Sequence, residues 1–271
     1  MKVAGVGVLT GWGEGIAALP ADARAAAAGR AVVPLATPAL AGDRFRRATR
    51  ECLLGVAAAE AALRAAALDR AGVAGAGTAL VYATAGAYGA SNRMFIEAEA
   101  ARGGALHFPY TAPSAVPAEV TIEFGITGPY VTLIGGATAT LDALGYAEAL
   151  LGAGACRRAL VLAVETAQEC ATLWERGRWL VGRPLVEAAA CAVLVPGGRR
   201  ARVAPAAAAS ALESTVRRRA GETLACAPLI GLALALETGD DHCSLTGQWR
   251  GRRYGLAGDV ARVPTAAAAA E

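Results

Sequence analysis

The stretch from Gly128 to Gly152, GPYVTLIGGATATLDALGYAEALLG, constrains the fold more than any other part of the chain. A Gly-Pro pair leads into a short run at Tyr130, Val131, Thr132, Leu133 and Ile134, and two glycines follow it. Apolar residues then recur at Leu141, Leu144, Ala147 and Leu151. This pattern reads as a strand, a tight turn and a buried helix. Such a turn presents one side chain at the helix N-terminus, where the macrodipole and free N–H groups favour a thiolate or an oxyanion. The residue at that place is Ala137, preceded by Gly135 and Gly136.

A chain of 271 residues suffices for one large domain or two fused halves with a sizeable core. Hydrophobic residues make up 55% of it and the mean hydropathy is +0.40. The longest apolar helical run, Leu224 to Leu236, is nevertheless well short of the roughly 20 residues that a membrane span needs. Trp12, Gly13, Glu14 and Gly15 interrupt the apolar start, which argues against a secretion signal. The reading is a soluble, cytoplasmic protein. Net charge is +3, and with Lys2 as the one lysine, arginine supplies nearly all of the positive charge. The arginines are scattered among acids with no interleaved aromatics, so no nucleic-acid partner is expected. Six cysteines show no CxxC spacing, and most sit beside alanine or leucine, as reduced core thiols do. Neither a metal site nor a cofactor follows from these residues.

In chain order, Lys2 to Thr10 reads as a buried strand and Gly11-Trp12-Gly13 as the turn after it, with a short helix near Ile16 to Gly29. Arg44 to Leu68 reads as the clearest helix, with Phe45, Cys52, Leu53, Val56, Leu63 and Ala66 at helical spacing. Its first turns carry Arg44, Arg46, Arg47 and Arg50. Thr78 to Thr84 is the next buried strand, followed by a helix around Asn92 to Ala101. Within Leu106 to Gly125, Val116, Val120 and Phe124 mark a buried helix face, with Pro117 tolerated in the first turn. Cys156 to Glu165 is apolar on both faces, like a central parallel strand, and Ala190 to Pro196 reads as another strand. Gly197-Gly198 marks a boundary between residues 1–198 and a shorter part, 199–271, that completes the same domain. There, Leu224 to Thr238 is a buried helix, and Ser244 to Val260 is a hairpin with turns near Gly247 and Gly251.

The order Pro113-Ser114, Gly128-Pro129, glycine-alanine turn and Glu165 resembles the β-ketoacyl synthases, condensing enzymes of the thiolase superfamily. The opening VAGVGVLTG is similar to theirs as well. The resemblance implies an α/β, thiolase-like layered α-β-α-β-α fold with a reduced C-terminal half, since only about 70 residues follow Gly198 and neither of the family's histidine motifs is among them. Counting forward from Gly128-Pro129 puts Ala137 where the family keeps its catalytic cysteine. Condensation needs a thiolate to carry the acyl chain and imidazoles to promote decarboxylation and stabilise the enolate. A methyl group cannot form a thioester.

On that resemblance the chain is similar to chain-length factors: a partner, inactive alone, that forms a heterodimer with a catalytic β-ketoacyl synthase. It would shape the acyl tunnel in type II polyketide, polyene or fatty-acid-like biosynthesis. His107, Phe108, Tyr110, Thr111 and Ser114, with Tyr130, Thr132 and Ile134, are then expected at the tunnel or subunit interface. Arg44, Arg46, Arg47 and Arg50 are expected to dock an acyl carrier protein transiently. Two alternatives stand beside this. One is a homodimeric thiolase-fold protein that binds an acyl or aromatic ligand. The other is an acyl-transfer enzyme with its chemistry relocated to His242 and Cys243. Against the second, adjacent residues of an extended strand point to opposite faces, which separates Asp241, His242 and Cys243.

Overall fold

The computed structural model describes residues 2–86, 88–102, 105–197, 202–239, 242–259 and 261–262. The chain runs through β1 (Lys2–Thr10), β2 (Gly13–Glu14), α1 (Ala23–Ala27), β3 (Val32–Val33), α2 (Arg50–Ala65), β4 (Thr78–Thr84), α3 (Gly89–Arg102) and α4 (Ala115–Phe124). It continues with β5 (Tyr130–Ile134), α5 (Gly136–Gly152), β6 (Arg158–Glu165), α6 (Ala167–Val181), β7 (Leu185–Val186), β8 (Ala188–Val195) and β9 (Arg202–Pro205). The last elements are α7 (Ala211–Arg219), α8 (Ala227–Thr238), β10 (His242–Trp249), β11 (Arg252–Asp259) and β12 (Ala261–Arg262).

A mixed sheet of order β12-β1-β8-β6-β4-β5 forms the centre, with β2 turned back onto β1. β4 is parallel to both β5 and β6, and β8 is antiparallel to β6 and β1. β4 is buried at every position, and β6 and β8 nearly so, because helices cover both faces. Alternate residues divide between two cores. Leu80, Tyr82, Leu160 and Leu162 pack with Leu54 and Val56 of α2 and with Val116 and Val120 of α4. Val81, Val161 and Ala163 pack with Leu141 and Leu144 of α5 and with Leu229 and Ile230 of α8. That split is the period of two expected of strands. A second sheet, β10-β11-β9, lies against α5 on the side away from the first. The result is a thiolase-like layered α/β fold in which the C-terminal part supplies two helices and a small antiparallel sheet.

α2 crosses β1 at close range. A methyl group added at Gly7 would lie 2.4 Å from the Ala62 nitrogen, and one at Gly5 would lie 2.4 Å from that of Ala66. Glycine here is a packing requirement of the sheet-helix contact.

Three local readings are corrected. The helix read as Arg44 to Leu68 begins at Arg50, because Thr49 takes an extended backbone and its hydroxyl accepts from the Cys52 N–H. Arg44, Arg46 and Arg47 sit in a separate 3-10 turn, Asp43–Arg47. The helix near Ile16 to Gly29 is two pieces, Ile16–Ala18 and α1. Pro20 holds Leu19 extended, and Asp22 caps the restart through the Ala25 N–H at 2.9 Å. In the late hairpin the turn is Arg250-Gly251 alone, both at positive φ, which suits a two-residue connection. Gly247 lies within β10, opposite Tyr254.

Candidate functional site

β5 ends at Ile134 and α5 begins two residues later. Gly136 takes φ +58, open to glycine at little cost, and Thr138 Oγ1 closes the first turn onto the Gly135 carbonyl at 2.9 Å. Ala137 follows with 7% of its surface exposed. β10 covers it: a methyl group added at Gly247 would stand 2.9 Å from the Ala137 Cβ, and one added at Gly136 would stand 2.3 Å from the Trp249 ring. The helix tip is thus closed by a glycine backbone and an indole.

Glu165, at the end of β6, is the buried acid beside this turn. Its Oε1 accepts from the Ala85 N–H at 2.6 Å and the Ala225 N–H at 3.3 Å, and Cys170 Sγ donates to Oε2 at 3.0 Å. Burial pushes its carboxyl up to about 7, against the pull of those hydrogen bonds. One turn on, Glu169 accepts from the Ser91 and Ala90 N–H groups at 2.9 and 3.3 Å and so ties α6 to the first turn of α3. Burial raises Glu187 too, but hydrogen bonds from Arg50, Ala167 and Leu35 outweigh it and hold the carboxyl below its usual value. These acids tie loops together at the carboxyl ends of β4 and β6.

All six cysteines are buried. Burial pushes Cys52 up to about 12, and it also raises Cys156, Cys170, Cys191 and Cys226. None of these five offers a thiolate at neutral pH. Cys243 is packed with Leu245 in the core. The side chains of His242 and His107, and Asp241 itself, lie outside the described residues. Among the described residues no group of histidine, cysteine, aspartate and glutamate could hold a metal ion, and no helix is long and apolar enough to cross a membrane.

Two cavities meet at the β10–β11 turn and share Leu173, Trp249 and Arg250 as a common wall. The first, about 690 Å³, lies between α3, the end of β5 and α6, with Ala85, Met94 and Ile134 among its walls. The second, about 500 Å³, is bounded by Trp174, Arg183, Arg217 and Glu222. Ala137 lines neither.

Of the residues singled out by sequence, Ile134 therefore borders a cavity. Tyr130 stands exposed on β5, and Thr132 Oγ1 is buried with no hydrogen-bond partner among the described residues. Phe108 is 64% exposed and meets Phe95 edge to face at 5.7 Å. Tyr110 donates to Glu119 at 3.4 Å, Thr111 to the Phe108 carbonyl at 2.9 Å, and Ser114 begins α4 without a side-chain cap. Arg44 is engaged by Glu119 and Glu123, and Arg50 by Glu187. Arg46 is exposed near Asp43, and the Arg47 side chain lies outside the described residues. Sequence reasoning missed Trp174, Arg183, Arg217, Trp249 and Arg250. The one signal that could have found some of them is Arg250-Gly251 between two strand patterns, a two-residue turn that fixes where Trp249 emerges.

A family model, β-ketoacyl synthase, N-terminal domain, matches residues 23–182. Among solved structures, a chain of the AntDE:AntF complex, a type II polyketide acyl-carrier protein with its ketosynthase bound to the hexaketide, is 15% identical with a TM-score of 0.73 over 95% of this chain and 98% of that one. A β-ketoacyl synthase from Burkholderia phymatum STM815 is 13% identical, TM-score 0.70, over 97% and 99%. The ketosynthase ApeO in complex with its chain length factor ApeC, from Xenorhabdus doucetiae, gives 13% identity and a TM-score of 0.63 over 93% and 96%. Among curated protein sequences none matches the chain. At these identities the structural likeness shows the fold. The family model covers more than half of the chain, and on that ground the chain belongs to the β-ketoacyl synthase family.

Proposed function

We propose that this protein is a non-catalytic ketosynthase-like subunit that pairs with an active ketosynthase and shapes its acyl tunnel, as a chain length factor does. The observation that carries the reading is the methyl side chain at the tip of α5, closed over by Gly247 and Trp249. A condensing enzyme needs at this tip a thiolate that an acyl chain can reach. The five thiols whose acidity is perturbed are all shifted away from nucleophilic character.

Pairing draws support from the edge of the central sheet. Among the described residues β5 has β4 as its one neighbour. Tyr130 and Ile134 on β5, Ile122 on α4 and Tyr146 on α5 are each 42% to 66% exposed. An apolar open edge is an aggregation hazard unless a partner covers it. Two of the solved structures of this fold are a ketosynthase with its chain length factor and a ketosynthase with its acyl-carrier protein, so the partner in this reading is a catalytic ketosynthase, met transiently by a carrier protein. Co-expression with a catalytic ketosynthase from the same genome, followed by size-exclusion mass measurement, tests the reading. A one-to-one complex is expected, and two separate monodisperse species would discard it.

A further inference from the structure

The second cavity has a charge pattern that the pairing role does not use. Arg183, Arg217 and Arg250 face it with Glu222 as the one carboxylate on its walls among the described residues, and Trp174, Trp249 and Leu173 supply apolar surface. Arg217 is shared with Glu213 at 2.9 Å, which also holds Arg253. Arg183 is poorly matched: the Glu222 carboxylate is 4.0 Å from its Nε, and that Nε is buried with no hydrogen-bond partner among the described residues. The other Glu222 oxygen, Oε1, accepts from the Leu224 N–H at 3.1 Å. Burial holds the Arg183 guanidinium below its usual value, with Glu222 and Glu213 opposing the shift and Arg217 adding to it. Arg183 and Arg250 both line the cavity, where their guanidinium groups can serve an oxyanion.

We propose that the cavity between α6 and the β10–β11 turn binds an organic oxyanion, a carboxylate or a phosphate ester, with its head on Arg183 and Arg250 and its apolar body between Trp174 and Trp249. A volume of about 500 Å³ suits a small ligand of this kind. Guanidinium groups form paired hydrogen bonds with either head group, and the indoles supply flat apolar walls. The inference stands whether or not the chain pairs with a ketosynthase, because every group it uses belongs to this chain.

The test is calorimetric titration of the full chain with four probes: cinnamate, phenyl phosphate, inorganic phosphate and the uncharged cinnamyl alcohol. Binding of cinnamate or phenyl phosphate at least tenfold tighter than of the alcohol is expected, and which of the two is tighter identifies the head group. Arg183→Met should weaken the anionic probe by tenfold or more and leave the alcohol unchanged. Arg250→Ala, at an exposed turn, gives a second variant in which folding is not at issue, and it should weaken the same probe. Equal binding of charged and uncharged probes, no binding at millimolar concentration, or anion affinity unchanged in both variants would overturn the proposal. Binding of inorganic phosphate alone would overturn the apolar part of it.

Discussion

Glu165→Gln is expected to flatten the pH dependence of stability between about pH 5 and pH 7.5. The Glu165 carboxyl is 2% exposed, and burial raises it from an ordinary 4.5 to about 7. The folded chain therefore holds a proton that the unfolded chain has released across that interval. Stability from this group is fully present below the unfolded value and is lost as pH rises through the folded one. At about 1.4 kcal/mol per pH unit, the total loss is on the order of 3 kcal/mol, of which roughly 2 kcal/mol falls between pH 5 and pH 7.5. Glutamine imitates the protonated acid: its carbonyl can accept from Ala85 and Ala225, and its amide can face Cys170 Sγ. Burial also raises Glu169 and Asp142, with the same sign, whereas Glu187 is lowered and acts with the opposite sign on the acid side. All three remain in the variant, so the difference between the two proteins isolates Glu165. Urea unfolding of both proteins at a series of pH values measures it. Parallel profiles would refute the reasoning, since they would mean that the Glu165 carboxyl ionises as easily in the fold as in the unfolded chain.

Two further outcomes follow from the packing. Gly7→Ala should destabilise the protein by about 2 kcal/mol or more in urea unfolding, because the added methyl group meets the α2 backbone at 2.4 Å and a backbone cannot rotate aside. Ala137→Cys should yield no condensation product from acyl and malonyl thioesters, assayed by mass spectrometry of the reaction, because a thiol there lies under Gly247 and Trp249 and outside both cavities.

Much of the fold was legible as runs and spacing. β1, β4 and β6 stand out because a strand covered on both faces needs apolar residues at every position. The buried face of α4 was readable at Val116, Val120 and Phe124, which are 0%, 0% and 2% exposed. The start of α2 was misread because Phe45 falls in helical register with Cys52 although a cap at Thr49 separates them. The cavities were not legible at all. Arg183, Arg217 and Trp249 are brought together by long-range packing, and no local spacing records that. Gly247 looked like a turn residue because the usual reason for glycine in a polar stretch is φ, whereas here it is the approach of Ala137.

That approach also explains why the turn into α5 is rich in glycine. Gly136 needs its positive φ to turn from β5 into α5, and it has no room for a side chain beneath the Trp249 ring. Gly247 has none beside Ala137. Glycine at these two places is therefore required by the contact between α5 and the second sheet, independently of any reaction at the helix tip. The turn's resemblance to a nucleophile site thus testifies to the fold. The β5 edge and the two cavities parted by Trp249 lie open to a partner or a ligand.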